Sequence, residues 1–485
     1  MYTMLWSTIA ITVCLSVTTV GTTSAAASGP NIVLVMADDQ GWGETGYYNH
    51  PVLRTPNLDG MATAGLRFDR YYAAAPVCSP TRASVLTGRS NNRTGVESHG
   101  YALRLQEKTL AQALQQAGYR TGHFGKWHLN GMRGPGVPLL ASDTHTPTAF
   151  GFDQWLSVSN FFDRNPLLSR QGKFEDYQGD SSEIVVEQAL EFIAAGVHEG
   201  KPTFTVIWYG TPHSPFVASD EDRSAFAELD SDSQHHYGEL VAMDRSLGAL
   251  RAGLRKLNIG DETLVWFTSD NGGLPRIAPS TAGGLRDFKG SLYEGGLRVP
   301  AVIEWPAGIA KPRATQFPAC AIDIFSTLAD IVGLPPNTML PQDGISLKPL
   351  LDNRDGVDGR RVKPIPFNYA GQTAVIDNQY KLLHVRAGKN DQADLRYELY
   401  DLDADLAESK NLLEELPEVA QRMQQHMAAW QAELADSVAG LDYPERKVAE
   451  THPQPRSWTA VPEYEPYFEE WSKRPEYRAA IKKRQ

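Results

Sequence analysis

The feature that most limits the fold is a set of short, wholly apolar runs, each breaking into a polar turn. Residues 31–36 form one such run and end in Ala37-Asp38-Asp39-Gln40-Gly41-Trp42-Gly43. A strand that is apolar on both sides is buried on both sides, the mark of a sheet sandwiched between helical layers. Residues 119–124, 203–209 and 263–268 read as strands of the same sheet. They end in Gly125-Lys126-Trp127-His128, Gly210-Thr211-Pro212-His213 and Ser269-Asp270-Asn271-Gly272-Gly273. Between the strands lie segments with helical spacing, at 109–117 (stopped by Gly118), 181–195 and 240–257. In the last of these, Leu240, Met243, Leu247, Leu250, Leu254 and Leu257 make the clearest amphipathic stripe in the chain. This alternation implies a mainly parallel sheet. Ligands of such sheets bind off the carboxyl ends of the strands, so neighbouring strands would bring these polar turns together.

The rest of the chain divides by texture. Residues 28–362 are expected to form the main domain. Residues 363–440 are expected to form a smaller α+β unit, with a meander at 373–376, 380–385 and 396–400. A helix over 412–434, interrupted near Pro417, follows it. Residues 441–485, rich in Pro, Tyr, Trp, Glu and Lys, read as an extended tail on the surface. Residues 1–27 carry no charge and end in Ser24-Ala25-Ala26-Ala27, which resembles a signal peptide cleaved near Ala27. No Lys or Arg precedes its apolar stretch, and an uncleaved anchor is the alternative. Cleavage implies a periplasmic or secreted protein with no stable membrane insertion. Lys plus Arg is 46 against 58 for Asp plus Glu, a net charge of −12. A generic nucleic-acid binder has the opposite sign. An anionic ligand would have to be met locally, by a few placed cations.

The candidate chemistry lies in the turns. Asp38, Asp39, Asp270 and Asn271 offer only oxygen, which suits Ca²⁺ or Mg²⁺ better than zinc. Adjacent aspartates can converge on one ion only where the chain leaves the strand, and Gly41 and Gly43 permit that turn. After loss of Cys14, two cysteines remain, Cys78 and Cys320. Either they pair, or they do unrelated jobs, with Cys320 a small buried hydrophobe. Pro80 fits the first turn of a helix, which would place Cys78 at its N-terminus. A plain reading makes Cys78 a low-pKa thiolate nucleophile. A thiolate sits oddly beside carboxylates and a hard cation.

The run Cys78-Ser79-Pro80-Thr81-Arg82, followed by Leu86-Thr87-Gly88-Arg89, resembles the signature of the type I sulfatases, the arylsulfatase family. Thr81 stands where Ser or Ala is more usual, and the Pro and Arg of the signature are intact. The resemblance extends through Asp38 to Gly43, Gly125 to His128, Pro212 to Phe216, Asp270 to Gly272 and Lys289 to Gly296, in order, from about Pro30 to Pro300. Glu398-Leu399-Tyr400-Asp401-Leu402 is similar to the family's C-terminal domain.

The resemblance implies an alkaline-phosphatase-like α/β/α sandwich with a large mixed sheet, plus a small C-terminal antiparallel sheet. It implies that a formylglycine-generating enzyme converts Cys78 to Cα-formylglycine. It places Asp38, Asp39, Asp270, Asn271 and the group at position 78 around one Ca²⁺. Arg82 and Lys126 fall on positions that hold the formylglycine diol, and Lys126 and Lys289 on positions that grip the sulfate. His213, with Lys289, falls on the position of the leaving-group acid, and His128 on that of the base that completes sulfate release. Arg89 is read as structural. Hydrolysis of a sulfated carbohydrate or aryl sulfate follows. A phosphonate or phosphate ester hydrolase on the same site is the alternative. A non-catalytic Ca²⁺-dependent glycan binder and a thiol hydrolase are less favoured. His99, His145, His235 and His236 lack motif context and read as surface or loop residues; His99 and Arg104 are candidates for lining a substrate pocket. Residues 155–162 read as a pocket wall or as core.

Overall fold

The computed structural model describes residues 29–353, 358–386, 394–449 and 453–484. The signal-like segment 1–27 lies outside the described residues. The central sheet has ten strands. In chain order they are β1 (Asn31–Ala37), β2 (Leu66–Phe68), β3 (Arg120–Lys126), β4 (Gln154–Val158) and β5 (Leu167–Arg170). They continue as β6 (Lys173–Asp176), β7 (Thr203–Trp208), β8 (Thr263–Ser269), β9 (Ala301–Glu304) and β10 (Arg313–Thr315). The spatial order is β10-β2-β9-β8-β1-β7-β3-β4-β5-β6.

The central strands are parallel. β1 lies between β7 and β8, with Met36 opposite Trp208 and Ala37 opposite Ser269. β3 lies parallel to β7, with Gly125 also opposite Trp208. This register brings the polar turns after β1, β3, β7 and β8 to one level. Antiparallel pairs toward both sides, β8–β9–β2 and β4–β5–β6, make the sheet mixed.

Seven helices matter for the argument: α1 (Pro56–Ala64), α2 (Cys78–Thr87), α3 (Leu110–Gln116), α4 (Ser181–His198), α5 (Ser231–Lys256), α6 (Asp323–Val332) and α7 (Pro417–Val438). β1 shows why two layers are needed. Its Ile32, Leu34 and Met36 pack with α2, α3 and α6, while Val33 and Val35 pack with α1, α4 and α5. A two-residue period sends alternate side chains into opposite cores. α5 starts before the leucine stripe, at Ser231, where the Asp230 side chain accepts the Ser233 N–H as an N-cap.

The second sheet has four antiparallel strands, β11 (Ile365–Tyr369), β12 (Gln372–Asp377), β13 (Tyr380–Arg386) and β14 (Leu395–Asp401). One face carries α7 through Ala420, Met423 and Met427 against Val375, Leu382 and Leu399. The other face, through Ala374, Ile376 and Leu383, joins the main core.

Two expectations are corrected. The C-terminal helix is not interrupted near Pro417; it begins there and runs to Val438. Proline suits a first helical position because that N–H has no partner in any case. The last segment is not an extended tail on the surface. Arg456–Ser457 pairs with Met132–Arg133. Trp458, Tyr464, Trp471 and Tyr477 are buried together against Met132 and Val137. Aromatic side chains this large stabilise a fold by leaving water, which the extended reading ignored.

A buried ionic network ties the two sheets. Lys381 Nζ lies 3.0 Å from Glu294 Oε1 and 2.9 Å from Glu408 Oε1, all three side chains being buried. Burial pushes the Glu408 carboxyl up to about 7, against the pull of Lys381. Lys381→Met strands both carboxylates, and the expected loss of stability is about 3–5 kcal/mol in denaturant unfolding. Because the Glu408 carboxyl titrates at about 7, the loss should be larger above that pH, where both groups are charged, than below it.

Candidate active site

The site is built at the carboxyl ends of β1, β3, β7 and β8. Asp39 adopts φ 74°, which breaks the strand alternation directly after β1. Its N–H donates to Asp270 Oδ1 at 3.2 Å. The turn that follows packs tightly: a Cβ at Gly41 would lie 2.3 Å from the Thr281 carbonyl oxygen. Glu44 braces this turn. It accepts the Gly41 N–H at 2.7 Å and lies 2.5 Å from His236 Nε2, with both side chains buried.

Three buried carboxylates, Asp38, Asp39 and Asp270, each meet a cation. Lys126 Nζ donates to Asp38 Oδ2 at 2.6 Å. Lys289 Nζ lies 2.6 and 2.8 Å from the two oxygens of Asp39. Arg82 places Nε and Nη2 at 3.1 and 2.6 Å from Asp270 Oδ2, and its guanidinium lies over the Trp208 ring. Burial opposes ionisation of Asp38 and Asp39, but Lys126 and Lys289 outweigh it and hold both below the usual carboxylate range. Burial and Asp38 push the Asp270 carboxyl up despite Arg82. Asn271 Nδ2 donates to Asp39 Oδ1 at 2.8 Å.

Cys78 opens α2 and is buried. Its sulfur and one oxygen each from Asp38 and Asp270 lie within 4.8 Å of one another, as do ligand atoms of Asp38, Asp39 and His213. Burial pushes the Cys78 thiol up, and Lys126 and Lys289 do not reverse it. This corrects the low-pKa thiolate reading: the helix N-terminus and the lysines share the space with carboxylates that repel a third anion. Cys320 is buried and free, as is Cys78, so the two do not pair.

His128 stands at φ 53° just past β3. Burial, then Lys126 and Arg82, hold its pKa well below the ordinary range, so it is neutral and a free base near neutral pH. Neither ring nitrogen has a partner among the described residues. The His213 ring stacks on Phe161, with centroids 4.6 Å apart, and Nε2 lies 3.7 Å from Asp39 Oδ2. Burial and Lys289 lower its proton affinity.

The residues fit a hard divalent cation. Asp38 Oδ1 and Asn271 Oδ1 are buried oxygens without a hydrogen-bond partner among the described residues, and both belong to the oxygen-only set. All the expected site residues therefore converge: Asp38, Asp39, Cys78, Arg82, Lys126, His128, His213, Lys289, Asp270 and Asn271.

Comparison with known proteins gives the family. Residues 30–334 match the family model described as Sulfatase. The chain belongs to the sulfatase family. Residues 284–433 match a second model, N-sulphoglucosamine sulphohydrolase, C-terminal. The N-acetylgalactosamine-6-sulfatase of Sus scrofa is 32% identical over 393 residues, covering 74% of this chain and 72% of that protein. Arylsulfatase A of Bos taurus is 33% identical over 456 residues, covering 82% and 86%. The crystal structure of Ps i-CgsB has the same fold, with a TM-score of 0.74 at 24% identity, covering 94% of this chain and all of that one. The chain is thus a type I sulfatase, with the alkaline-phosphatase-like sandwich and the separate C-terminal antiparallel sheet expected of it.

Sequence reasoning missed the bracing of this sulfatase site. Glu44 has no motif context, and His236, read as surface or loop, is its buried partner. His145 is also buried rather than exposed, and His235 is half-buried, accepting the Ala218 N–H. His99 is exposed as expected. Arg104 turns to the Arg93 carbonyl and the Tyr443 hydroxyl. Residues 155–162 split between the two readings: Trp155, Leu156 and Val158 are core, while Phe161 meets His213. Arg89 is wholly buried, paired with Glu107 at 3.2 Å and Asp442 at 2.7 Å, and donates to the Pro341 carbonyl. Glu44→Ala leaves the Gly41 N–H and His236 unpartnered in the interior. The expected cost is about 1–3 kcal/mol, read as a lowered thermal midpoint.

Proposed function

We propose that this sulfatase releases inorganic sulfate from a sulfated carbohydrate or aryl sulfate with a formylglycine made from Cys78 and one Ca²⁺. The observation that carries this reading is Cys78 itself: its buried sulfur lies within 4.8 Å of Asp38 and Asp270 oxygens, inside a set whose other members offer oxygen. An oxygen at that position would suit a hard cation better than sulfur.

Asp38, Asp39, Asp270, Asn271 and the oxygen at position 78 would hold the ion. Bound there, Ca²⁺ supplies Lewis acidity, which lowers the cost of an alkoxide and polarises a sulfate oxygen. A hydrated formylglycine at position 78 would offer two hydroxyls, one as nucleophile toward sulfur and one whose deprotonation would let sulfate leave by elimination. The chain's own residues do the remainder. Arg82 and Lys126 orient the group at position 78. Lys126 and Lys289 balance charge on the sulfate oxygens as it shifts in the transition state. His213, with Lys289, gives a proton to the leaving oxygen. In the ligand-free arrangement its proton affinity is low. The anionic ester beside it favours the imidazolium, so substrate and proton arrive together. His128, neutral in its buried setting, takes the proton from the remaining hydroxyl at position 78. Maturation by a formylglycine-generating enzyme and a periplasmic or secreted location complete the reading. No helix among the described residues is long and apolar enough to cross a membrane.

The test is the mass of the tryptic peptide 71–82, prepared from cells that hold a formylglycine-generating enzyme. A mass loss matching thiol-to-aldehyde conversion is expected. An intact, fully alkylated thiol in active protein would sink the formylglycine reading. Chelation should abolish activity and Ca²⁺ should restore it. His128→Ala is expected to slow turnover about 10²–10⁴-fold while a stoichiometric burst of the alcohol product remains. Rates on matched aryl sulfate, phosphate and phosphonate esters separate sulfatase preference from the phosphonate hydrolase alternative, and sulfate should be fastest.

A further inference from the structure

Next to His213 the chain encloses a recess that the catalytic residues leave unused. Its volume is about 580 Å³, within the range of sites that take drug-sized ligands. Phe161 is a wall common to both, since it stacks on His213 and also lines the recess. Pro215 and Val217, from the turn that carries His213, line it as well. Another part of the wall is the C-terminal segment, through Lys473, Arg474 and Tyr477. That wall is fixed in place. The Tyr477 hydroxyl donates to the Gly136 carbonyl at 2.9 Å, and Arg474 donates to the Asn165 carbonyl at 2.6 Å.

The charges are unevenly matched. Arg474 is committed to Asp176 and Glu476, at 3.0 and 2.6 Å. Arg164 and Lys473, which also line the recess, have no ion-pair partner among the described residues. Asp222 lies near Arg164, but Arg245 already holds its carboxylate at 2.6 Å. Burial, then Asp180, push the Asp163 carboxyl well above its ordinary range, so it faces the recess as a neutral hydrogen-bond donor. Three lining cations, Arg164, Lys473 and Arg474, against the carboxylates of Asp176 and Glu476 leave the recess net positive with Asp163 neutral, in a chain of net charge −12.

We propose that this recess is the subsite for the organic part of the ester and takes an acidic sugar unit, one bearing a carboxylate or a second sulfate. The apolar walls at Phe161, Pro215, Val217 and Tyr477 suit the faces of a sugar ring. Arg164 and Lys473 suit its anionic substituent. A plain aryl group would leave both cations without a partner. The proposal rests on the reading of His213 as the leaving-group acid, because that places the leaving alcohol at Phe161.

The experiment compares the mature wild type with Arg164→Glu/Lys473→Glu. Substrates are a uronic-acid-containing sulfated oligosaccharide, a disulfated one without a carboxylate, and 4-nitrophenyl sulfate. The ratio of kcat/KM for an acidic oligosaccharide to that for the aryl ester is expected to fall at least about tenfold in the variant. The arm that falls further tells whether carboxylate or sulfate is the recognised group. An unchanged ratio in both arms overturns the proposal. Binding of the desulfated acidic oligosaccharide, followed by calorimetry, tests the recess even if no ester is turned over. Binding by wild type and loss in the variant support it, and no binding by wild type overturns it.

Discussion

Everything at the catalytic end of this molecule depends on burying like charges together. Asp38, Asp39 and Asp270 are inaccessible to water and close enough to raise one another's cost of ionisation. Such a group is tolerable only when opposite charge is supplied at contact distance, since a buried unpaired ion costs several kcal/mol. The chain supplies it from three separate places: Arg82 from α2, Lys126 from the end of β3 and Lys289 from the loop before residue 294. The pairing leaves oxygens of Asp38 and Asn271 unspent, and these are what a divalent cation would use. The residues that make this corner stable are therefore the ones a divalent cation would compete for.

Much of this was legible because the central strands advertise themselves. A strand buried on both sides has no polar positions to confuse the pattern, so β1, β7 and β8 were readable almost to the residue. Their register was not readable, yet it alone decides that Asp38, Lys126, His213 and Asp270 meet. The family resemblance filled that gap. What stayed hidden were groups whose role comes only from tertiary contact. Glu44 and His236 are far apart in sequence and meet under the Asp38–Asp39 turn. The last thirty or so residues misled for a physical reason. Their Pro and charged residues suggested solvent, while the aromatic residues spaced between them close a core of their own.

The two ends of the central sheet serve different purposes. The outer strands, antiparallel except where β10 runs parallel to β2, widen the platform without bringing any of the candidate site residues to it. The parallel centre carries the turns of the candidate site. The C-terminal sheet adds none of the charged catalytic set, but its Lys381 neutralises Glu294 only a few residues beyond Lys289. The final segment walls the recess beside His213. Reaction chemistry and the shape around it thus come from opposite ends of the chain.

Arg89 carries a consequence for motion. It follows directly on α2, the helix that begins at Cys78, and its guanidinium is clamped by Glu107 and by Asp442 just past α7. Opening the corner at Asp442 would remove one of the two carboxylates that hold this buried guanidinium. α2 and the end of α7 are therefore expected to open together, which native-state amide exchange of the two segments would show. Arg89 thereby couples the end of the helix that begins at Cys78 to a corner of the fold more than 350 residues further along the chain.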